Sequence, residues 1–186
     1  MPEQSAARLR PRDLTLIALF TALMAVCAWI YIPVPAPLVH FSMHTFALFA
    51  ALLILGGKRG TWVITAYLLL GAVGAPVFSG FRGGPGVLLG ATGGYIVGFV
   101  FTALLYWLMT ARLGETMPVK LAAGVLGMAA YYAFGTAWYL VLYASAGSPV
   151  GLMTALGYCV FPFVIPDLAK LGLAALLARR VGKYMG

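Results

Sequence analysis

Asp167 and Lys170 stand three residues apart in Phe161–Arg180, FPFVIPDLAKLGLAALLARR, an otherwise apolar run that ends in two arginines. On a helix, positions i and i+3 share a face, so the two side chains can partly neutralise each other. Each charge costs about 2.5–3.5 kcal/mol in hydrocarbon on insertion scales, so such residues face a bundle interior or a cavity and mark a functional site by default. The competing reading is an ion pair that only locks helix packing. Pro166 is expected in the first turn of a helix, with Asp167 at the end that favours negative charge. Asp167 lies about 18 Å from Arg179 along a helix. With the arginines at the membrane edge, the pair sits past the middle of a hydrocarbon core about 30 Å thick.

The second informative stretch is Gly74–Gly94, GAPVFSGFRGGPGVLLGATGG. It is too rich in glycine for a helix interior and too apolar for an ordinary solvated loop. It is expected to fold back over or into the bundle, since irregular backbone at membrane depth is tolerated where it lines a cavity. Phe78 and Phe81 offer flat apolar surface, and Arg82 a fixed positive charge with five donors. A close-packed loop without ligand contact is the alternative. Thr92 and Tyr95 follow and could point into a cavity.

A carboxylate accepts hydrogen bonds from N–H donors, and Lys170 or Arg82 could hold an anionic group, so the set suits a small amphipathic carboxylate. Enzyme chemistry has no support: H-E-x-x-H, G-x-S-x-G and G-x-x-x-x-G-K-[ST] are all absent. His40 and His44 have metal-ligand spacing but no third ligand nearby, which points to a polar mouth or interface. Cys27 and Cys159 lie in apolar runs and read as small packing residues.

The elements that must position these groups are membrane helices. The 186 residues are 63% hydrophobic and 9% charged, where a soluble domain carries about a quarter charged residues. The expected fold class is an all-α integral membrane protein of six transmembrane helices. Residues 1–13 form an N-terminal segment, 14–181 a single membrane domain and 182–186 a tail. The spans run from about Leu14 to Ile32, uncleaved, then His40 to Gly57, Thr61 to Val77, Gly90 to Ala111, Val119 to Tyr143, and Leu152 to Arg180 with a break near Pro162–Pro166. Pro33, Pro35 and Pro37 form a stiff connector. Gly90, Gly94 and Gly98 make a close-contact face, as do Ala18, Ala22 and Ala25, whose partner is in this chain or another. The aromatics of the fifth span, Tyr131, Tyr132, Trp138, Tyr139 and Tyr143, read as an interface belt or, more sharply, as cavity walls.

The net charge of +8 does not indicate nucleic acid, because the charges sit at span ends, as orientation and anionic headgroups of the lipid bilayer require. Arg8, Arg10, Arg12, Lys58, Arg59, Arg112, Lys120, Arg179, Arg180 and Lys183 fall at one end, and only Arg82 in the opposite loops. Both termini are therefore expected to be cytoplasmic. The glycine loop and the acid–base pair then share the external side.

The chain resembles the BioY family, the biotin-specific substrate-binding (S) components of energy-coupling-factor transporters. The resemblance rests on Gly74–Phe81 with Gly83-Gly84, on Thr92-Gly93-Gly94-Tyr95 with Gly98-Phe99, and on Phe161-Pro162-Phe163 with Pro166–Lys170. It departs at Ala91, where proline is usual, at Ser42–Thr45, where Thr-Leu-Gln-Thr is usual, and at Ile165-Pro166-Asp167, where Pro-Gly-Asp is usual. The resemblance implies biotin uptake across the cytoplasmic (inner) membrane of a prokaryote, with no covalent cofactor. It implies association with a transmembrane coupling subunit and two cytoplasmic ATPases, and is compatible with a homo-oligomer. Ala18 and Ala22 would contact the coupling subunit. Asp167 would take the ureido N–H groups and Lys170 the valerate carboxylate, or the reverse, with Arg82 a second candidate for the carboxylate. Phe78, Ser79, Tyr95, Gly93 and Gly94 would surround the ligand. An S component for another carboxylated vitamin, or a structural or regulatory membrane protein, are the alternatives.

Overall fold

The computed structural model describes residues 10–32 and 41–185, with 183–185 described by backbone alone. The proline connector, His40 and Arg8 lie outside the described residues. The elements are α1 (Pro11–Trp29), β1 (Tyr31–Ile32), β2 (Phe41–Ser42), α2 (His44–Ala72), α3 (Pro85–Leu88), α4 (Gly93–Leu113), α5 (Met117–Ser145), α6 (Leu152–Cys159) and α7 (Phe161–Met185). Apart from one short antiparallel pair, all of these are helical. Among the described residues, five segments are long and apolar enough to cross a membrane, α6 and α7 counting together.

The second of these segments is not straight. Gly56 has φ 81° and ψ 170° inside α2, a conformation that is essentially restricted to glycine. A straight helix would hold His44 and Tyr67 about 34 Å apart, whereas their rings meet with centroids 4.8 Å apart. The chain therefore reverses at Gly56, and Gly60 packs directly on Leu52. The hairpin is tight because its two faces are almost wholly apolar: Ala47 to Leu52, Val63 and Ile64 are all buried.

Helix α2 packs against α1, α4 and α7, and α4 packs along α5. The α4–α5 seam depends on glycine where the other helix brings an aromatic ring. A Cβ at Gly98 would lie 2.9 Å from the Tyr131 Cβ, and Gly135 is covered by the Tyr95 ring. Thr102 closes the seam by donating to the Gly127 carbonyl at 2.8 Å.

Several element boundaries differ from the sequence expectation. Helix α1 stops at Trp29, because Tyr31 and Ile32 pair with Ser42 and Phe41 and a residue before proline, here Ile32, is pushed to extended backbone. Helix α2 ends at Ala72 rather than Val77, with Gly74 at φ 102° just beyond. Gly90 lies outside α4, which begins at Gly93. The break in the last segment falls at Val160, before Pro162, and not between Pro162 and Pro166. Val160 caps the new helix, its carbonyl accepting from the Phe163 and Val164 amides. Pro162 then occupies the first turn, where no N–H is needed. Pro166 lies inside α7, not in its first turn as expected, so the N-terminal charge argument does not apply to Asp167. The helices also run past the expected borders of the membrane domain, to Pro11 at one end and Met185 at the other.

Candidate functional site

Helix α7 presents Asp167 and Lys170 inward, where they are 3% and 4% exposed. Their Nζ–Oδ1 separation is 2.8 Å. Burial of two charges is tolerable only when the remaining donors and acceptors are filled, and here they are. Asp167 Oδ1 also accepts from Thr45 Oγ1 at 2.8 Å, while Oδ2 accepts from the hydroxyls of Tyr131 at 2.6 Å and Tyr132 at 2.8 Å. Lys170 Nζ donates to the Ser42 carbonyl at 2.7 Å and to Thr45 Oγ1 at 3.0 Å, completing its three donors. The ammonium also sits 4.1 Å from the centroid of the Phe41 ring, within cation–π range. Thr45 is the hinge of this network: its hydroxyl donates to the carboxylate and accepts from the ammonium.

The network forms one wall of a cavity of about 90 Å³. At about 10–15 Å³ per water, that space takes roughly six to nine water-sized groups. The cavity is mainly apolar, with Phe78, Val87, Ile96, Phe99 and Phe163 in its walls. Edge-to-face contacts join four of its rings, with Tyr67 behind them, in a chain, Phe78–Tyr67–His44–Phe99–Tyr131. The segment between α2 and α4 contributes Phe78, Ser79 and Arg82. Phe78 is 1% exposed and lies over Gly71. The segment is tied down by Trp29 Nε1 to the Pro76 carbonyl at 2.9 Å, by the Tyr67 hydroxyl to the Val77 carbonyl at 2.9 Å, and by Trp138 Nε1 to the Gly90 carbonyl at 3.1 Å. Phe81 stacks on Trp29.

Of the residues singled out in the sequence, Asp167, Lys170, Tyr95, Arg82, Phe78 and Ser79 line this cavity, as does Thr92. Tyr95 is buried and its hydroxyl lies 3.1 Å from Thr136 Oγ1. Arg82 is exposed, its Nε donating to the Ser79 carbonyl at 3.2 Å. Gly93 and Gly94 are buried behind the wall, against Leu88 and Trp138 respectively. Ala18 and Ala22 lie elsewhere, exposed on α1 in an open apolar groove shared with Leu69 and Leu70 of α2 and with Val73 just beyond it.

Thr45, His44, Phe99, Tyr131 and Tyr132 also line the cavity; the sequence offered His44 for a polar mouth or interface and the two tyrosines for an interface belt or cavity walls, and gave Thr45 and Phe99 no role in the site. The interface-belt interpretation of the two tyrosines is corrected by their burial, 2% and 8% exposed, and by their bonds to Asp167. Gly124, Gly127, Tyr131 and Gly135 recur at spacings of three and four, a small-residue face that marks the side of α5 turned inward. Thr45 carried no comparable signal.

A buried, fully bonded acid–base pair facing an apolar cavity inside a bundle of membrane helices defines a ligand-binding integral membrane protein. The chain belongs to the BioY family, whose model matches residues 1–186. It is 41% identical to the biotin transporter BioY of Thermotoga maritima over 92% of this chain and 96% of that protein. It is 34% identical to the probable biotin transporter BioY of Pyrococcus horikoshii, over 93% and 98% of the two chains. Among solved structures, the S component for biotin from an ECF-type ABC transporter superposes with a TM-score of 0.80 at 28% identity, covering 92% of this chain and 91% of that one.

Proposed function

We propose that the protein captures biotin for uptake across the membrane as the S component of an energy-coupling-factor transporter. The observation that carries the reading is the Asp167–Lys170 pair, buried yet opening onto a cavity, in a chain of this family. Six spans follow if the reversal at Gly56 divides α2 into two and α6–α7 form the last. Asp13–Arg59 and Glu115–Lys120 ion pairs belong to the basic end of the bundle. By the positive-inside rule that end, with both termini, faces the cytoplasm.

In this reading biotin lies with its ureido ring at the Asp167–Lys170 corner. A ureido group offers two N–H donors, which the Asp167 carboxylate accepts in exchange for part of the four hydrogen bonds it otherwise receives. The valerate carboxylate then reaches Arg82 and Ser79 at the rim, where a charge retains part of its hydration and gains a charge-assisted bond. Lys170 holds Asp167 in place from the buried end of the cavity, whereas Arg82 is exposed. Gly93 and Gly94 act at one remove, by letting Trp138 and Leu88 close the wall. Ala18 and Ala22 present a smooth apolar surface suited to a transmembrane coupling subunit, with two cytoplasmic ATPases supplying energy that this chain has no phosphate loop to supply.

Thermal unfolding in detergent, with biotin and with other carboxylated vitamins, tests the function. Binding to the folded state alone adds about 2.7 kcal/mol at one hundred times Kd, a rise of about 5–11 °C for a chain of this size. A rise with another vitamin and none with biotin would overturn the substrate; no rise with any would leave the pair a packing device.

A further inference from the structure

His44 is 5% exposed and lines the cavity, yet its Nε2 has no hydrogen-bond partner among the described residues. An unmatched buried donor or acceptor costs about 1–3 kcal/mol, and such a group in a native fold asks for an explanation. The ring is held edge-on between Tyr67 and Phe99, each with centroids 4.8 Å away, and no described group of the protein bonds Nε2. Those two contacts also fix the imidazole plane, so Nε2 is a prepared polar group. His44 and its neighbour Thr45, which bonds both Asp167 and Lys170, line the same cavity as the acid–base pair.

We infer that His44 Nε2 is a ligand contact that selects for a carbonyl acceptor on the bound ring, donating to the ureido oxygen of biotin. The inference rests on the biotin reading above. A ureido group carries two donors and one acceptor, and the carboxylate of Asp167 can serve only the donors. The acceptor needs an N–H or O–H. Lys170, Tyr131 and Tyr132 can turn a donor to it only by giving up a bond that they already make. His44 Nε2 is a buried group of the cavity lining with no such bond to give up, and its neutral tautomer with the proton on Nε2 is a donor.

The test compares biotin with 2-iminobiotin, in which an imino nitrogen replaces the ureido oxygen, on the wild-type protein and on His44→Phe and His44→Gln. Phenylalanine keeps an aromatic ring between Tyr67 and Phe99 but has no donor; glutamine keeps an N–H. Wild-type binding of biotin is the control for the function itself, and its absence overturns that reading first. Given it, His44→Phe is expected to weaken biotin about twofold to tenfold, the range of one hydrogen bond. 2-Iminobiotin is expected to lose less, so that preference for biotin shrinks, and His44→Gln is expected to restore part of it. An equal loss for both ligands, or undiminished biotin affinity in His44→Phe, overturns the inference. Ligand-free unfolding temperatures identify a misfolded variant; should His44→Phe misfold, a biotin preference in His44→Gln no greater than in His44→Ala overturns it equally.

Discussion

Asp167→Asn changes one atom and removes one charge, and its consequences can be worked through the network. The carboxylate receives four hydrogen bonds, two on each oxygen. An amide in its place points an NH₂ group either at the two tyrosine hydroxyls or at Thr45 and Lys170, and both sets are donors. Lys170 also becomes an uncompensated buried cation. Breaking a buried pair from one side costs about 3–5 kcal/mol, which for a chain of this length is a fall of about 6–20 °C in unfolding temperature. Lys170→Met should be costly for the mirror reason. The double variant is different: no charge is left, the asparagine carbonyl can accept from Tyr131 and Tyr132, and its NH₂ can donate to the Thr45 hydroxyl. It should therefore be more stable than the sum of the single effects by about 2–3 kcal/mol. Unfolding in detergent measures the cycle, and equilibrium binding of labelled biotin on the same samples separates stability from recognition. Recovery of stability without recovery of binding is the expected result. Strict additivity would refute the claim that the two charges compensate each other, and undiminished biotin binding in Asp167→Asn would refute its place in the site.

Three further outcomes follow from other parts of the structure. Arg82→Ala, at an exposed position, should leave unfolding within about 0.5 kcal/mol of wild type. It should weaken biotin about tenfold to a hundredfold, the worth of a hydrogen bond to a charged group, while biotin methyl ester, compared in the same binding assay, changes little. Gly98→Ala puts a Cβ 2.9 Å from the Tyr131 Cβ and 3.0 Å from its Cα; the overpacking should cost about 1–3 kcal/mol of stability. Because Tyr131 is displaced with it, biotin affinity should fall as well. Ala22→Leu, in the exposed groove of α1, should preserve unfolding temperature and biotin binding in the purified protein yet reduce uptake by cells carrying the coupling module, since bulk prevents close helix approach.

Much of the membrane architecture and half of the site were legible in the chain alone, because both depend on local rules. Hydrocarbon thickness fixes how long an apolar run must be, and insertion energetics push Asp167 and Lys170 inward whatever surrounds them. The spacing of three put them side by side before any helix was packed. The glycine-rich segment announced itself by a composition that neither helix nor solvated loop accepts, and its Phe78, Ser79 and Arg82 do line the cavity. Even Gly56 was hinted at by the basic residues that follow it, though not the sharpness of its reversal. The tertiary structure decided what completes the pair. Thr45 lies 122 residues before Asp167, and Tyr131 and Tyr132 lie 36 and 35 before it; no spacing rule connects them, because they meet only when α2, α5 and α7 pack together. A threonine at a helix start and tyrosines in an aromatic-rich helix have ordinary local explanations, as a cap and as an interface belt. Gly93 and Gly94 show the converse: beside Tyr95 in sequence, they face away from the cavity, because successive residues on a helix point about 100° apart and only packing selects which direction is inward.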